Sequence, residues 1–442
     1  MKSEIESRVV KTGCSLCSTC CGMNIYVEGG RAVRVSGMPE HPFSQGSLCA
    51  RGSRVLDYVY SPDRLKYPMK KVNGSWQRIS WDEALNIISG KLEWIKETFG
   101  ARSLAVFFGM PQLGQGIAIQ SMIRRLTDLY GTPNVFSVDS MCFRHRMVGH
   151  ILTLGKYSIA DPENARCVIL WGHNPNNSCP PMARFVLKNL KAGEKKLIVV
   201  DPRRISMADR ADLHVKPKPG SDCALALGML NVIILEKLYD EQFVDEWTVG
   251  FDVLAHHLKQ YSPEAVEEMT WVPAESIKQI ARMFATSKPA CIVQGTNSLD
   301  QHVSGVQTSR ALAILHAITG NFDIQGGLTT SSALHLSPLR YLDKLEEKPL
   351  GIDDFPLFYE VLGRVFGEGQ LMSLPDAILT GKPYPIKAMM ISAANPLATW
   401  PNSQKVKMAL QKLDFLVVFD MFMTPTAELA DIVLPAASFM ER

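Results

Sequence analysis

From residue 104 onward the chain alternates short apolar runs with longer stretches of helical period. Residues 104–108, 167–171, 197–200, 291–293, 388–391 and 415–419 read as buried strands. Between them, residues 117–130, 182–190, 224–235 and 305–318 read as amphipathic helices. Alternation of this kind predicts α/β layers built on largely parallel sheets. One helix is fully punctuated. Ser80 and Glu83 form a capping-box pattern, and Trp81, Leu85, Ile88, Leu92, Ile95 and Phe99 recur at steps of four and three before Gly100 supplies a stop. Residues 332–374 are less regular, rich in proline and glycine, and read as a long excursion that returns to an earlier domain. Neither a short-period repeat nor a low-complexity tract interrupts the pattern.

Length and charge narrow the classes. A chain of 442 residues exceeds one ordinary core, so two to four domains are expected. With 46% hydrophobic and 21% charged residues it has the composition of a soluble globular protein. No apolar run approaches the roughly 18–20 residues of a membrane span. The first eleven residues are polar and lead almost directly into a cysteine motif, which argues against export and predicts a cytoplasmic protein. A net charge of +3, without a Lys/Arg tract, gives no footprint for nucleic acid.

Four of the ten cysteines fall between Cys14 and Cys21. Cys14, Cys17 and Cys21 are too close in sequence to staple distant segments, so metal-ligating thiolates explain the crowding better than disulfides. A triple in one tight loop followed by the single Cys49 suits a [4Fe–4S] cluster. The same four residues also suit structural zinc, although zinc sites usually use two short pairs. Cys20 competes with Cys21 as ligand; the spacing and the following Gly22 favour Cys21. Gly22, Gly46 and Gly52 are expected to let the chain turn close to the cluster. Cys167 and Cys291, inside apolar runs, read as small buried hydrophobes.

Three strand-to-loop junctions follow in order. Gly172-His173-Asn174-Pro175 follows the second predicted strand, Asp201-Pro202-Arg203-Arg204 the third, and Lys218-Pro219-Gly220-Ser221-Asp222 opens the next helix. Backbone N–H groups at such turns, with a nearby carboxylate, are what a dinucleotide requires.

Taken with Asn24-Ile25-Tyr26-Val27-Glu28-Gly29-Gly30, Gly46-Ser47-Leu48-Cys49-Ala50-Arg51-Gly52 and Ser61-Pro62-Asp63-Arg64-Leu65, these segments resemble the dimethyl sulfoxide reductase family of molybdenum and tungsten enzymes. Thr319-Gly320-Asn321, Gly326-Gly327, Ala394-Asn395-Pro396 and Asp420 through Ala430-Asp431-Ile432-Val433-Leu434-Pro435 extend the resemblance along essentially the whole chain. It implies a [4Fe–4S] cluster and a Mo or W ion held by two molybdopterin guanine dinucleotides. Gly172, Asn174, Asp201, Arg203, Gly220 and Asp222 would hold one dinucleotide, and Gly109, Asn395, Asp420 and Thr424 would lie toward the other. Arg51 occupies the place of the family's basic residue between cluster and pterin, where a permanently charged guanidinium biases electrons toward the gap. The resemblance also places the protein ligand to the metal in residues 137–150. Cys142 matches best, since a thiolate suits a sulfur-rich centre, with Ser140 and Asp139 as alternatives. Arg144, His145, Arg146 and His150 surround it, and His145 and Arg146 are candidates to orient substrate or move a proton.

The expectation is therefore an α/β protein with a small N-terminal iron–sulfur domain followed by two Rossmann-like α/β domains with largely parallel sheets. The domains are residues 1–65 (cluster), 66–140 (first part of domain II), 141–324 (domain III, dinucleotide-binding) and 325–442 (return to domain II). The family's fourth domain is expected to be absent, since the chain stops shortly after the Leu434-Pro435 motif. The implied activity is two-electron oxidation or reduction of a small molecule, with electrons relayed through the cluster to a partner iron–sulfur subunit or ferredoxin. Two other readings compete. One is a non-redox hydratase on the same scaffold, of the acetylene hydratase kind. That enzyme carries an aspartate directly after the second cluster cysteine, where this chain has Ser18. The other is a non-catalytic iron–sulfur electron-transfer subunit.

Overall fold

A computed structural model describes residues 7–110, 117–188, 190, 193–330, 347–363 and 366–441, so much of the predicted excursion lies outside the described residues. Along the chain, β1 (Ser7–Gly13), β2 (Gly22–Glu28) and β3 (Arg31–Gly37) form an antiparallel sheet. Next come β4 (Met69–Val72), β5 (Ser75–Arg78), β6 (Leu104–Phe108) and β7 (Val135–Ser137). They are followed by β8 (Ile159–Ala160), β9 (Cys167–Trp171), β10 (Lys196–Val200), β11 (Leu213–Val215), β12 (Ala290–Gln294) and β13 (Leu328–Thr329). The last three are β14 (Ala388–Ser392), β15 (Phe415–Asp420) and β16 (Ile432–Pro435). The chain divides into unit 1, Met1–Met141 with Leu336–Arg442, and unit 2, Cys142–His335.

Unit 1 contains the small β1–β3 sheet and a seven-stranded sheet of order β5-β4-β16-β15-β14-β6-β7. Its five strands from β16 to β7 are parallel, and the β4–β5 hairpin closes one edge antiparallel. Parallel strands are covered on both faces, and all five residues of β6 are accordingly buried. Its side chains alternate: Ala105 and Phe107 join one core, Leu104 and Val106 the other. The helix Trp81–Phe99 is capped as its sequence predicts, with the Ser80 side chain accepting from Glu83 N–H at 3.1 Å and Gly100 at φ 87°. Its buried stripe is turned from the predicted one. Ala84, Ile88 and Ile95 face the sheet, whereas Trp81 and Leu85 are exposed. Ala84, too small to register in an apolar pattern, makes the close approach.

Unit 2 is built on a four-stranded parallel sheet of order β11-β10-β9-β12. On β9, Cys167, Ile169 and Trp171 enter one core and Val168 and Leu170 the other. Cys167 and Cys291 are fully buried in their strands, as the apolar runs imply. The helix expected to be amphipathic from residue 224 begins at Asp222, and it is not amphipathic. Leu225, Ala226 and every residue from Gly228 to Ile233 are buried, because the helices Pro263–Thr270, Ala274–Thr286 and Gly305–Ile318 all pack around it. A helix apolar on all sides is an interior helix.

Candidate cofactor and metal site

At the N-terminal sheet, Cys14 and Cys21 are buried, Cys17 and Cys49 half-buried, and Cys20 exposed. Cys14 N–H donates to Cys21 O at 2.8 Å, which closes the loop carrying the triple, and Cys49 precedes the short helix Ala50–Ser53. Burial raises the Cys14 thiol, and the nearby Cys17, Cys49 and Cys20 add to that rise. Gly22 is required here: a Cβ on it would lie 2.6 Å from the His41 Cβ. A Cβ on Gly52 would lie 3.9 Å from the Cys14 Sγ, so this glycine packs against the cysteine loop. Arg51 lies exposed on the Ala50–Ser53 helix.

In each α/β sheet the strand order reverses once, and the carboxyl ends beside the reversal form the usual ligand crevice. In unit 1 the reversal falls between β6 and β14, whose ends are paired Phe108 to Ser392. Gly109 N–H donates to Ser392 O at 2.9 Å, and a Cβ on Gly109 would stand 2.1 Å from Ala393 O. Asn395, Asp420 and Thr424 follow β14 and β15 at the same edge, so four of the predicted residues come together. Their polar groups are largely engaged. Asn395 Oδ1 accepts from Thr426 Oγ1 at 2.7 Å, Asp420 accepts from Met421 N–H at 2.7 Å, and Thr424 Oγ1 accepts from Ala427 N–H at 3.1 Å. Burial raises the Asp420 carboxyl.

In unit 2 the reversal falls between β9 and β12, paired Trp171 to Gln294. Gly172, at φ 58°, approaches the segment after β12 so closely that Ser298 Oγ donates to its carbonyl at 2.8 Å. Cys142 is half-buried with its Sγ 3.9 Å from Asn297 Oδ1 on that segment. Asp222 is buried and accepts from Trp171 Nε1 at 2.8 Å, which ties the Trp-Gly junction to the Gly220-Ser221-Asp222 turn; burial raises its carboxyl. Asp201 is buried and accepts from Arg203 N–H at 2.8 Å, while the Arg203 side chain is exposed. Ser140 and Asp139 are buried within unit 1, where Ser140 Oγ lies 3.4 Å from Leu371 N–H. Of the three metal-ligand candidates, Cys142 alone is half-exposed.

The helix Arg144–Leu154 carries the neighbouring basic residues. Arg146 donates to Gly295 O at 2.7 Å, Gln294 O at 3.3 Å and Asp300 Oδ2 at 2.8 Å, so its guanidinium fastens this helix to the end of β12. Burial pushes the Asp300 carboxyl up to about 6 despite that arginine. Burial lowers His145, and takes His150 down to about 3 and His173 to about 4. His173 Nδ1, Asn174 Oδ1, Asp300 Oδ1 and His302 Nε2 are buried without a hydrogen-bond partner among the described residues. Each such atom costs about 1–3 kcal/mol unless something polar meets it. All four stand on the two segments that flank the reversal, so this edge fits a polar cofactor.

Asn297, Ser298, Asp300, His302 and Thr426 are absent from the sequence-derived set. Gly295-Thr296-Asn297 directly after an apolar run was the available signal. Thr319-Gly320-Asn321 proves structural instead: Asn321 is fully buried and accepts from Ala290 N–H at 2.9 Å, at the opposite end of β12.

A cysteine-rich loop joined to doubly wound α/β layers, with polar groups gathered at both strand reversals, defines an iron–sulfur protein with a nucleotide-type cofactor crevice. The chain belongs to the molybdopterin oxidoreductase family, which it matches over residues 64–442, with the family's Fe4S4 domain over residues 7–61. It therefore carries the domains for a [4Fe–4S] cluster and a molybdopterin cofactor. It is 35% identical to acetylene hydratase of Syntrophotalea acetylenica, over 97% of this chain and 63% of that protein. It is 31% identical to formate dehydrogenase H of Escherichia coli, over 98% of this chain and 62% of that one. The solved acetylene hydratase from Pelobacter acetylenicus superposes with a TM-score of 0.87 at 32% identity, covering 98% of this chain and 63% of that one. The chain thus spans somewhat under two thirds of these relatives. No described helix is long and apolar enough to cross a membrane.

Proposed function

We propose that this chain is the cluster- and cofactor-binding part of a molybdenum or tungsten oxidoreductase that oxidises or reduces a small molecule by two electrons. Cys14, Cys17, Cys21 and Cys49 hold the [4Fe–4S] cluster. Two molybdopterin guanine dinucleotides occupy the crevices at the two strand reversals, and Cys142 supplies the protein ligand to the metal. When bound, the metal would supply two-electron chemistry and the cluster one-electron transfer to an iron–sulfur partner. The chain's own residues bind and orient. Arg146 and Asp300 fix the helix that follows Cys142, and His145, on the same helix, is a candidate to orient substrate or move a proton.

The observation that carries this reading is Cys142 Sγ 3.9 Å from Asn297 Oδ1, at the reversal where four buried polar atoms await a partner. X-ray absorption at the metal edge tests it. Replacing Cys142 by serine should remove one sulfur neighbour and leave the iron–sulfur spectrum intact. An unchanged sulfur count places the ligand elsewhere. Likeness to acetylene hydratase favours a second reading, hydration without net redox. Ser18 argues against it, because a hydroxyl cannot serve as the general acid a carboxyl provides. Acetaldehyde formed from acetylene by the metal-loaded protein would establish the hydratase reading.

A further inference from the structure

Unit 2 has a cavity of about 830 Å³ on its helical layer, among the helices Arg144–Leu154, Glu241–Trp247, Phe251–His257 and Gly305–Ile318. Its volume lies within the range of small-molecule pockets. Phe243, Trp247, Phe251, Leu254, Ile314 and Phe322 line it. At the mouth Trp247 is 75% and Val249 99% exposed, which is unfavourable apolar surface to leave in water. Thr153 and Leu154, at the far end of the helix that follows Cys142, form part of the wall. Eleven residues of helix separate this pocket from the cofactor edge by roughly 15 Å.

The charges in the pocket do not balance. Asp323 is already engaged, by Lys156 Nζ at 3.1 Å and by Thr330 Oγ1 at 3.1 Å. Arg310 has no acidic partner among the described residues. Its Nη1 donates to the Gln307 side chain at 3.1 Å, and its Nε is buried with nothing to donate to. We infer that this pocket binds a small amphipathic carboxylate, with the anion on Arg310 and an aryl or branched alkyl body against the aromatic wall. A guanidinium presents paired donors that match a carboxylate, and an apolar wall strengthens the pairing. A neutral ligand would fill the same volume and leave the Arg310 charge uncompensated. One uncompensated cation suits a single negative charge. This binding is independent of the metal and cofactor chemistry proposed above.

The test uses 3-phenylpropionate and its uncharged amide as probes, with binding to the intact chain followed by calorimetry and saturation-transfer NMR. The carboxylate should bind about tenfold more tightly than the amide, the value of one charge-assisted hydrogen bond. Arg310→Met should abolish that preference, raising the carboxylate Kd to that of the amide, while Lys278→Met, on the Ala274–Thr286 helix and outside the pocket lining, should leave it unchanged. Phe251→Ala should weaken both probes alike. Equal binding of the two probes by the unmodified protein would overturn the inference without reliance on any variant. So would persistence of the preference in Arg310→Met protein, or failure of both probes to bind.

Discussion

The two sheets run the same course at their carboxyl ends and finish differently. In unit 2, β9 leads through Gly172 to Asn174-Pro175 and a four-residue helix; in unit 1, β14 leads through Ala393 to Asn395-Pro396 and another. Both Gly172 and Ala393 take positive φ, and their N–H groups donate to the ends of the neighbouring strands, Val200 O at 2.8 Å and Phe419 O at 2.9 Å. Beyond β10 and β15, Asp212 and Asp431 accept from Leu197 and Leu416 N–H at 2.9 and 2.8 Å. The contrast lies in the two asparagines. Asn395 Oδ1 is met by Thr426 Oγ1, whereas Asn174 Oδ1 is buried without a partner among the described residues. Aligning Asp201-Pro202-Arg203 with Asp420-Met421-Phe422 puts Met207, fully buried, where unit 1 has Thr426. A thioether cannot donate. Unit 1 therefore meets its junction asparagine with a hydroxyl of its own, and unit 2 leaves the equivalent oxygen without a partner among the described residues.

The largest expected effect follows from the side that is left open. Cys142→Ser should lower turnover of the metal-loaded protein by roughly 100-fold or more, since replacing supporting residues around a metal alone costs 10–100-fold. It should leave the stability of cofactor-free protein within about 0.5 kcal/mol, because Cys142 is half-buried and packs in no core. Parallel assays of turnover and urea unfolding separate the two quantities. Loss of both together would mean that Cys142 acts through the fold and not at the metal.

Acid separates the units by a smaller amount. His316 is fully buried in unit 2, its Nε2 accepting from Ile292 N–H at 3.0 Å and its Nδ1 donating to Leu312 O at 2.8 Å; burial takes it to about 4. For a base whose folded value is depressed, stability is fully present above about 6.5 and is lost as pH falls toward 4. A shift of that size is worth roughly 3 kcal/mol. His150, taken to about 3, acts in the same direction. Asp300 opposes them: its carboxyl is raised to about 6, so its contribution is present at low pH and is lost as pH rises through 6. Unit 2 should unfold as pH falls from 6.5 to 4, and Asp300→Asn should shift that loss to higher pH. Hydrogen exchange resolved by segment checks both. Equal acid sensitivity of unit 1 would refute the contrast.

A third prediction exchanges the costs. Thr426→Val removes the donor to Asn395 and the acceptor of Leu397 N–H at 3.1 Å, and should destabilise cofactor-free protein by about 1–2 kcal/mol. Asn174→Ala should cost less than about 0.5 kcal/mol in the same state, since no hydrogen bond to Asn174 Oδ1 is lost, yet weaken cofactor retention about tenfold. Thermal unfolding and pterin content read the two.

Much of this was legible in the sequence because the signals are local. Apolar runs mark β6, β9, β10, β12, β14 and β15; a capping residue and a glycine mark the Trp81–Phe99 helix; cysteine spacing marks the cluster loop. Junction residues such as Asn174 and Asn395 stand out because Asn-Pro must leave the strand. Asn297, Asp300 and His302 did not, since their importance comes from strand order: only when β12 pairs with β9 does the segment after it meet Gly172. The Asp222–Leu235 helix was misread for a related reason. Its Asn231 and Gly228 look like a polar face, but Asn231 is buried and donates to Leu258 O at 2.9 Å, and Gly228 admits Val266. Nor could a search for short repeats detect two similar halves separated by most of a unit.

The smallest effect gives the sharpest test of the contrast. If the Asn174 carbonyl is unpaired because Met207 stands where unit 1 has a hydroxyl, then Met207→Thr should supply the missing donor. Threonine is smaller than methionine, so the substitution also opens space in the core, and its raw stability is not the informative quantity. The comparison is with Met207→Val, which has the same shape without the hydroxyl. In cofactor-free protein Met207→Thr should be more stable than Met207→Val by about 1 kcal/mol, the net value of one hydrogen bond. In an Asn174→Ala background the order should reverse, because the new hydroxyl would then be buried without an acceptor. The same variant should retain less cofactor than Met207→Val, since the asparagine oxygen would be occupied before the ligand arrives. Should the two variants unfold alike in both backgrounds, Asn174 does not face position 207, and its unpaired oxygen owes nothing to the exchange of threonine for methionine.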